Sequence, residues 1–273
     1  MYSRYSDADS DEDGSEEDSI IEKLLILDNT KTNHDCDRDD LVDEIKERAL
    51  FFGENHQIYC FSQCVFKYRD GDISKDVYEK YLNEIVFAHP MNVINELVCV
   101  RAKDVFNVEL LQRFMEEGFD PNYDNFKPFR MACCSHEQFE LIKFLVENGA
   151  DVNACNSEGL ANAISYCYDY DMDEYDFTTV EFLLEVGTKI TEEVIKKACN
   201  NSVPEIFTLL IKFGCNPNTL FKNLLSEKHV SAISGQRRGI KKYDLFIQCL
   251  KIINDYEPNY TLMIDELYNE LPK

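Results

Sequence analysis

Apolar residues recur at helical spacing along the N-terminal third of the chain. Runs with apolar positions three and four residues apart occur at residues 20–27, 41–50, 77–86 and 93–97. Ser74 precedes the third run, where serine is a favoured helix N-cap, and Pro90 separates the third run from the fourth. Residues 20–95 are therefore predicted to form an α-helical N-terminal region or cap.

A second apolar pattern returns four times further along the chain, at residues 110–122, 141–153, 179–191 and 206–218. Each copy is an amphipathic helix followed by a glycine and then by short polar residues. A glycine just past a helix takes the left-handed conformation at no steric cost, and Asp or Asn can then bond the turning backbone. The repeat-defining residues are Gly118, Asp120, Asn122, Gly149, Asp151, Asn153, Gly187, Gly214, Asn216 and Asn218.

These residues resemble the ankyrin repeat, in which Gly-Ala-Asp-Val-Asn follows the outer helix, as in residues 149–153 here. The family's second signature, Thr-Pro-Leu-His-x-Ala, corresponds to residues 127–132, which keep the proline and alanine but lack the threonine and histidine. Loss of those two polar side chains predicts a weaker turn network between neighbouring repeats. The resemblance implies an all-α ankyrin-repeat solenoid of stacked helix pairs, with about five irregular repeats at residues 96–260.

The copies differ in length, which predicts specific departures from a regular array. The third copy contains a Tyr- and Asp-rich insertion at residues 168–176, for which a binding epitope and a disordered insertion both remain open. The fourth copy is short and is predicted to pass from Thr191 directly into a helix. The fifth has a basic loop near residues 235–242, and residues 261–273 are predicted to be a C-terminal capping helix. Irregular, acidic arrays of this kind are similar to the ankyrin proteins of large DNA viruses, such as giant viruses and poxviruses.

The charge of the chain limits the classes of molecule that are expected to bind it. Its 52 acidic and 28 basic residues give a net charge of −24, which repels nucleic-acid phosphates and anionic membrane surfaces. We therefore expect a protein partner, with no nucleic acid and no membrane, and a monomeric chain. Residues 1–19 contain eight acidic residues and one base, so they are predicted to be a disordered acidic tail.

The sequence also indicates the cellular compartment in which the protein is expected. No window approaches the ~18 consecutive apolar residues of a spanning helix, and the first residues lack the basic and apolar pattern of an export signal. Five of the 11 cysteines lie among apolar residues in predicted helices, which favours reduced thiols; these are Cys133, Cys155, Cys199, Cys215 and Cys249. We expect an intracellular protein of the cytoplasm or nucleus, or of the host cytoplasm if the chain is viral.

No catalytic motif is present, and the chain is predicted to be neither an enzyme nor a cofactor-binding protein. His34, Cys36, Cys60 and Cys64 are the most zinc-like set, but their spacing does not match structural zinc sites, so no metal is expected.

The predicted function is a non-catalytic protein–protein interaction scaffold. The ankyrin resemblance implies that a protein partner binds to the concave face. This partner would be a host protein if the chain is viral. The predicted partner-binding residues are Tyr123, Asn125, Phe126, Asn156 and Glu158. The alternative is a substrate-recruiting adaptor for a ubiquitin ligase, with residues 20–95 or the C-terminal helix as the recruiting module.

Overall fold

The computed structural model describes residues 54–169, 173–224 and 239–256, with side chains for residues 61–168, 173–224 and 247–256. The predicted acidic tail, the helical runs at 20–27 and 41–50, and the capping helix at 261–273 lie outside the described residues. The chain divides into two compact units, Met1–Asp120 and Pro121–Lys273. The domain boundary between residues 95 and 96 stays a prediction.

The first unit is helical throughout its described part. Its elements are α1 (Glu54–Arg69), α2 (Lys75–Tyr81), a π-helical segment (Leu82–Val86), α3 (Met91–Arg101) and α4 (Val108–Glu116). Ser74 caps α2 by accepting a hydrogen bond from the Val77 amide at 3.5 Å, and α3 begins directly after Pro90. The third and fourth helical runs of the sequence are therefore confirmed.

Four phenylalanine rings form the centre of the first unit. The Phe114 ring lies 5.9, 4.9 and 4.9 Å from the rings of Phe61, Phe87 and Phe106, in edge-to-face arrangements. Edge-to-face pairs are favourable because the positive ring edge meets the negative ring face. Phe114 is fully buried, so the apolar position four residues before the repeat glycine is a core position here.

The second unit consists of helices in stacked pairs. Its helices are α5 (Tyr123–Ala132), α6 (Phe139–Glu147), α7 (Ala154–Ser165), α8 (Thr178–Glu185), α9 (Glu192–Asn201), α10 (Pro204–Lys212), α11 (Pro217–Leu224) and α12 (Gly239–Tyr256). The inner helices α5, α7, α9 and α11 contact one another in sequence order, and the outer helices do so as α6 with α8 and α10 with α12. With α1–α4, these make twelve α-helices within the described segments, which confirms the predicted all-α fold of stacked pairs.

The outer helices end as the repeat pattern predicts. Gly118, Gly149, Gly187 and Gly214 have φ of +101°, +91°, +90° and +93°. At the second of these, the Gly149 amide donates to Val146 O and the Ala150 amide to Leu145 O, both at 3.0 Å. The same pair of bonds recurs after the other three glycines, and it satisfies carbonyls that the ending helix leaves unpaired.

The irregular copies have clear structural counterparts. The insertion of the third copy contains a short antiparallel hairpin of β1 (Tyr168–Asp169) and β2 (Glu174–Tyr175). In the fourth copy α9 begins immediately after Thr191, whose hydroxyl accepts from the Val194 amide at 3.5 Å, so the prediction of a direct entry is confirmed.

The predicted basic loop is partly wrong. Residues 225–238 lie outside the described part, but α12 begins at Gly239, so residues 239–242 are helical. The sequence Ile-Lys-Lys after that glycine contains two good helix formers, which explains the early start of the helix.

Candidate functional site

Two left-handed turns lie within the first residues of the inner helices α5 and α7 and interrupt their helical geometry. We call residues 124–126 the first finger turn and residues 155–157 the second. Their residues have positive φ, at Asp124 (48°), Asn125 (54°), Phe126 (59°), Cys155 (50°), Asn156 (60°) and Ser157 (61°). Each turn is closed by one backbone bond of 3.2 Å, from the Phe126 amide to Asn122 O and from the Ser157 amide to Asn153 O. Left-handed residues other than glycine cost roughly 1–2 kcal/mol each, so both turns depend on contacts that hold them.

Arg130 holds the first finger turn. Its Nε donates to Asn125 O at 3.0 Å and its Nη2 to Asp124 O at 2.8 Å, so the guanidinium spans two carbonyls of the turn. Its Nη1 also donates to the carboxylate of Glu158, in the next repeat. The Arg130 side chain is only 12% exposed.

The lost histidine has a substitute at residues 127–132, and the expectation of a weaker turn network there stays a prediction. Arg130 occupies the position of the histidine in the ankyrin signature, and it bonds the finger turn and the neighbouring repeat at the same time. A guanidinium has five N–H donors in a fixed fork, so one arginine can satisfy more acceptors than the histidine it replaces.

Two hydrogen bonds, one at the second finger turn and one just before it, connect this region to the third copy. Asn153 Oδ1 accepts from the Lys189 amide at 2.8 Å, and the Thr191 hydroxyl donates to Asn156 O at 2.9 Å. Within the second copy, Asp151 Oδ1 accepts from the Asn153 amide at 2.9 Å, which is the turn bond that the Asp-x-Asn motif predicts. The same bond joins Asn216 Oδ1 to the Asn218 amide, also at 2.9 Å.

Two asparagines link successive inner helices at their other ends. Asn162 Nδ2 of α7 donates to Arg130 O of α5 at 2.9 Å, and Asn201 Nδ2 of α9 donates to Ile164 O of α7 at 2.5 Å. Both accepting carbonyls belong to the last turn of their helices, where carbonyls lack intrahelical partners. The end of α5 is thus linked to α7, and the end of α7 to α9.

The predicted partner-binding residues lie at or next to the finger turns. Asn125 and Asn156 are exposed within the turns, and Phe126 and Tyr123 are half-buried. Glu158 has an internal partner in Arg130 and is 40% exposed, so it contributes to the junction between repeats. Partner binding by these five residues stays a prediction. The sequence reasoning did not identify Arg130, although a base at the signature's histidine position is a recognisable signal.

The buried thiols are chemically inert. Burial raises the pKa of the Cys199 thiol to about 12 and that of Cys215 to about 11, and it raises the pKa of Cys133 well above its ordinary value. A thiol with a raised pKa stays protonated and is neither a nucleophile nor a metal ligand at neutral pH. Cys155, in the second finger turn, is exposed.

Within the described segments, no group of three or more His, Cys, Asp or Glu residues could hold a metal ion. Of the zinc-like set, Cys64 is buried, whereas His34, Cys36 and the Cys60 side chain lie outside the described residues.

The first unit contains a cavity of about 260 Å³ beside the stacked rings of Tyr68 and Tyr78, whose centroids are 4.2 Å apart. Two arginines on its lining already have protein partners. Arg113 pairs with Glu117 at 2.7 Å, and Arg69 donates to a main-chain carbonyl. The lining therefore offers mixed and largely neutralised charge rather than an anion site.

Comparison with known proteins agrees with this architecture. The ankyrin repeat model matches residues 128–157, from α5 through α6 to the second finger turn. The chain matches no curated protein and no solved structure. Among the helices that the structure describes, none has both the length and the apolar character to cross a membrane. The chain contains an ankyrin repeat, a motif that is typically non-catalytic and that suggests a protein-interaction role.

Proposed function

We propose that this protein is a non-catalytic interaction scaffold whose partner binds across the two finger turns and the inner helices α5 and α7. The observation that carries the proposal is the fixed position of the two exposed turns. Arg130 holds the first turn and Thr191 donates to the second, each from outside the turn itself. A surface that is already ordered loses little conformational entropy when a partner binds, which favours affinity.

The chemistry of the finger turns suits a protein surface. Asn125 and Asn156 present exposed side-chain amides, which both donate and accept hydrogen bonds. Tyr123 and Phe126 are half-buried beside them, so their rings offer apolar contact area whose position is already set. Aromatic anchors surrounded by adaptable polar groups are typical of protein-binding sites.

The test is affinity capture by the full chain, with cross-linking to locate the contact. The double variant Asn125→Ala/Asn156→Ala removes both amides and leaves Arg130 and Glu158 intact. The matched control is Lys143→Ala/Glu147→Ala, which changes two exposed residues of the outer helix α6. We expect the finger variant to weaken binding of the captured protein about tenfold or more. Equal binding by the finger variant, or equal loss with the control, would contradict the proposal.

We keep the ubiquitin-ligase adaptor as an alternative, since its recruiting module would lie in residues 20–95 or in the C-terminal helix. Co-purification of a ligase scaffold with the full chain, lost when residues 257–273 are removed or residues 20–53 are deleted, tests it. A cytoplasmic or nuclear location is likewise a proposal, which rests on the placement of the cysteines. A host-protein target and an origin among large DNA viruses are proposals that rest on the acidic composition and the irregular repeats.

A further inference from the structure

The hairpin between α7 and α8 arranges three aromatic rings in a row. Tyr168 and Tyr175 are directly paired across β1 and β2, and their ring centroids are 5.0 Å apart. The Phe177 ring is 5.8 Å from that of Tyr175 and nearly parallel to it, at 5°. Phe177 follows the end of β2, and its near-parallel ring places it beside Tyr175 in the same row. We call Tyr168, Tyr175 and Phe177 the aromatic row.

Tyr175 is the exposed member of the aromatic row, whose other two rings are half-buried, and the row ends in a carboxylate. Tyr175 is 39% exposed, and Tyr166, at the end of α7, is 43% exposed. The Tyr168 hydroxyl donates to the carboxylate of Asp173, which is itself exposed. A carboxylate has about four acceptor sites, so Asp173 can accept from a second donor while it keeps the bond from Tyr168.

The charge around the row has one sign. Between Lys143 and Lys189 the sequence contains no lysine or arginine, whereas it contains ten acidic residues. One of these, Glu158, is neutralised by Arg130. Of these, Asp173, Glu174 and Asp176 lie within two residues of Tyr175 in the chain, and they favour a cation over an apolar occupant because burying carboxylates without partners is costly.

We propose that the aromatic row binds an arginine-rich segment of a partner protein. A guanidinium stacks flat on aromatic rings, and its edge can at the same time donate to a carboxylate such as Asp173. Lysine is more strongly hydrated and presents a point charge, so it gains less from stacked rings. The row thus has a reason to prefer arginine over lysine, beyond simple attraction of opposite charges.

This surface is separate from the finger turns. The second finger turn lies at the start of α7 and the hairpin follows its end, so the helical residues 158–165 separate them by roughly 12 Å at 1.5 Å per residue. The proposal therefore adds a second docking surface to the one proposed above, and the two can be tested independently.

The probe is a short peptide of alternating glycine and arginine, with matched glycine–lysine and glycine–glutamate peptides. Binding to the full chain is measured by calorimetry at moderate ionic strength. We expect the arginine peptide to bind more tightly than the lysine peptide, and the glutamate peptide not to bind. Tyr175→Ala and Asp173→Asn should each weaken the arginine peptide about fivefold, whereas Tyr175→Phe should retain most of its binding.

Two controls make the outcome decisive. Glu147→Gln removes one negative charge from α6 within the same base-free interval, and it should leave binding unchanged. The finger variant Asn125→Ala/Asn156→Ala should also bind the peptide normally, so failure of one surface is distinguished from failure of the other. The proposal is overturned if the arginine peptide does not bind or binds no better than the lysine peptide. It is also overturned if Glu147→Gln weakens binding as much as Tyr175→Ala does.

Discussion

Arg130→Ala should destabilise the second unit by removing the group that holds the first finger turn. The change removes two bonds to the carbonyls of Asp124 and Asn125 and the ion pair with Glu158. After the change, the three left-handed residues 124–126 keep their backbone cost without the contacts that offset it. We therefore expect the turn to relax and the junction with the next repeat to loosen.

The size of the effect follows from these contacts. Hydrogen bonds to a charged group contribute about 1.5–3 kcal/mol each when buried, but both carbonyls here lie at the surface, so about 1 kcal/mol each is appropriate. The ion pair adds at most about 1 kcal/mol, since the Glu158 side chain is 40% exposed and is screened by solvent. The expected loss in free energy of unfolding is about 2–3 kcal/mol.

Urea unfolding followed by circular dichroism measures this loss. Glu158→Gln separates the contribution of the ion pair and should cost under about 1 kcal/mol. Lys127→Ala is the matched control, because it removes a neighbouring base whose ion pair with Asp124, at 3.5 Å, is more exposed. A loss below about 1 kcal/mol for Arg130→Ala, or one equal to that of Lys127→Ala, would refute the reasoning.

Three further predictions concern stability and reactivity. Thr188→Val should raise the free energy of unfolding by up to about 1 kcal/mol, because the buried Thr188 hydroxyl has no partner among the described residues; a loss of stability would contradict this. Iodoacetamide should label exposed Cys155 in the native protein but label Cys133 only after unfolding, as mass spectrometry can show; native labelling of Cys133 would contradict its burial. Burial lowers the pKa of His89, so its neutral form is favoured by folding. The corresponding stability is present above the unfolded-state pKa of about 6.5 and is lost as pH falls through the lower folded-state pKa. The urea concentration at the unfolding midpoint should therefore vary less with pH in His89→Gln than in the unchanged protein over that range.

The parts of the fold that depend on local chemistry could be predicted from the sequence. Gly149 terminates a helix because its backbone accepts a positive φ at no steric cost, and Asp151 bonds its own turn two residues later. Thr191 likewise caps the helix that follows it, which is why the short fourth copy was recognisable. Each of these depends on residues within a few positions, which a sequence displays directly.

The geometry of the finger turns could not be predicted in this way. Asn125 tolerates the left-handed conformation, but Phe126 and Cys155 give no such signal, and they adopt it because distant groups hold the turns. The partner that Arg130 finds in Glu158 lies 28 positions away along the chain. The pairing of the Tyr168 and Tyr175 rings depends in the same way on strand register. The sequence alone left the insertion open between a binding epitope and a disordered segment.

The bonds from Asn162 and Asn201 make the end of each of two inner helices depend on the repeat that follows it. In both cases the donor belongs to the later repeat, so a truncation that removes that repeat takes one hydrogen bond from a carbonyl at the helix end that remains. In a nearest-neighbour array such links transmit stability one step at a time. Progressive C-terminal deletions should therefore lower the melting temperature in discrete steps.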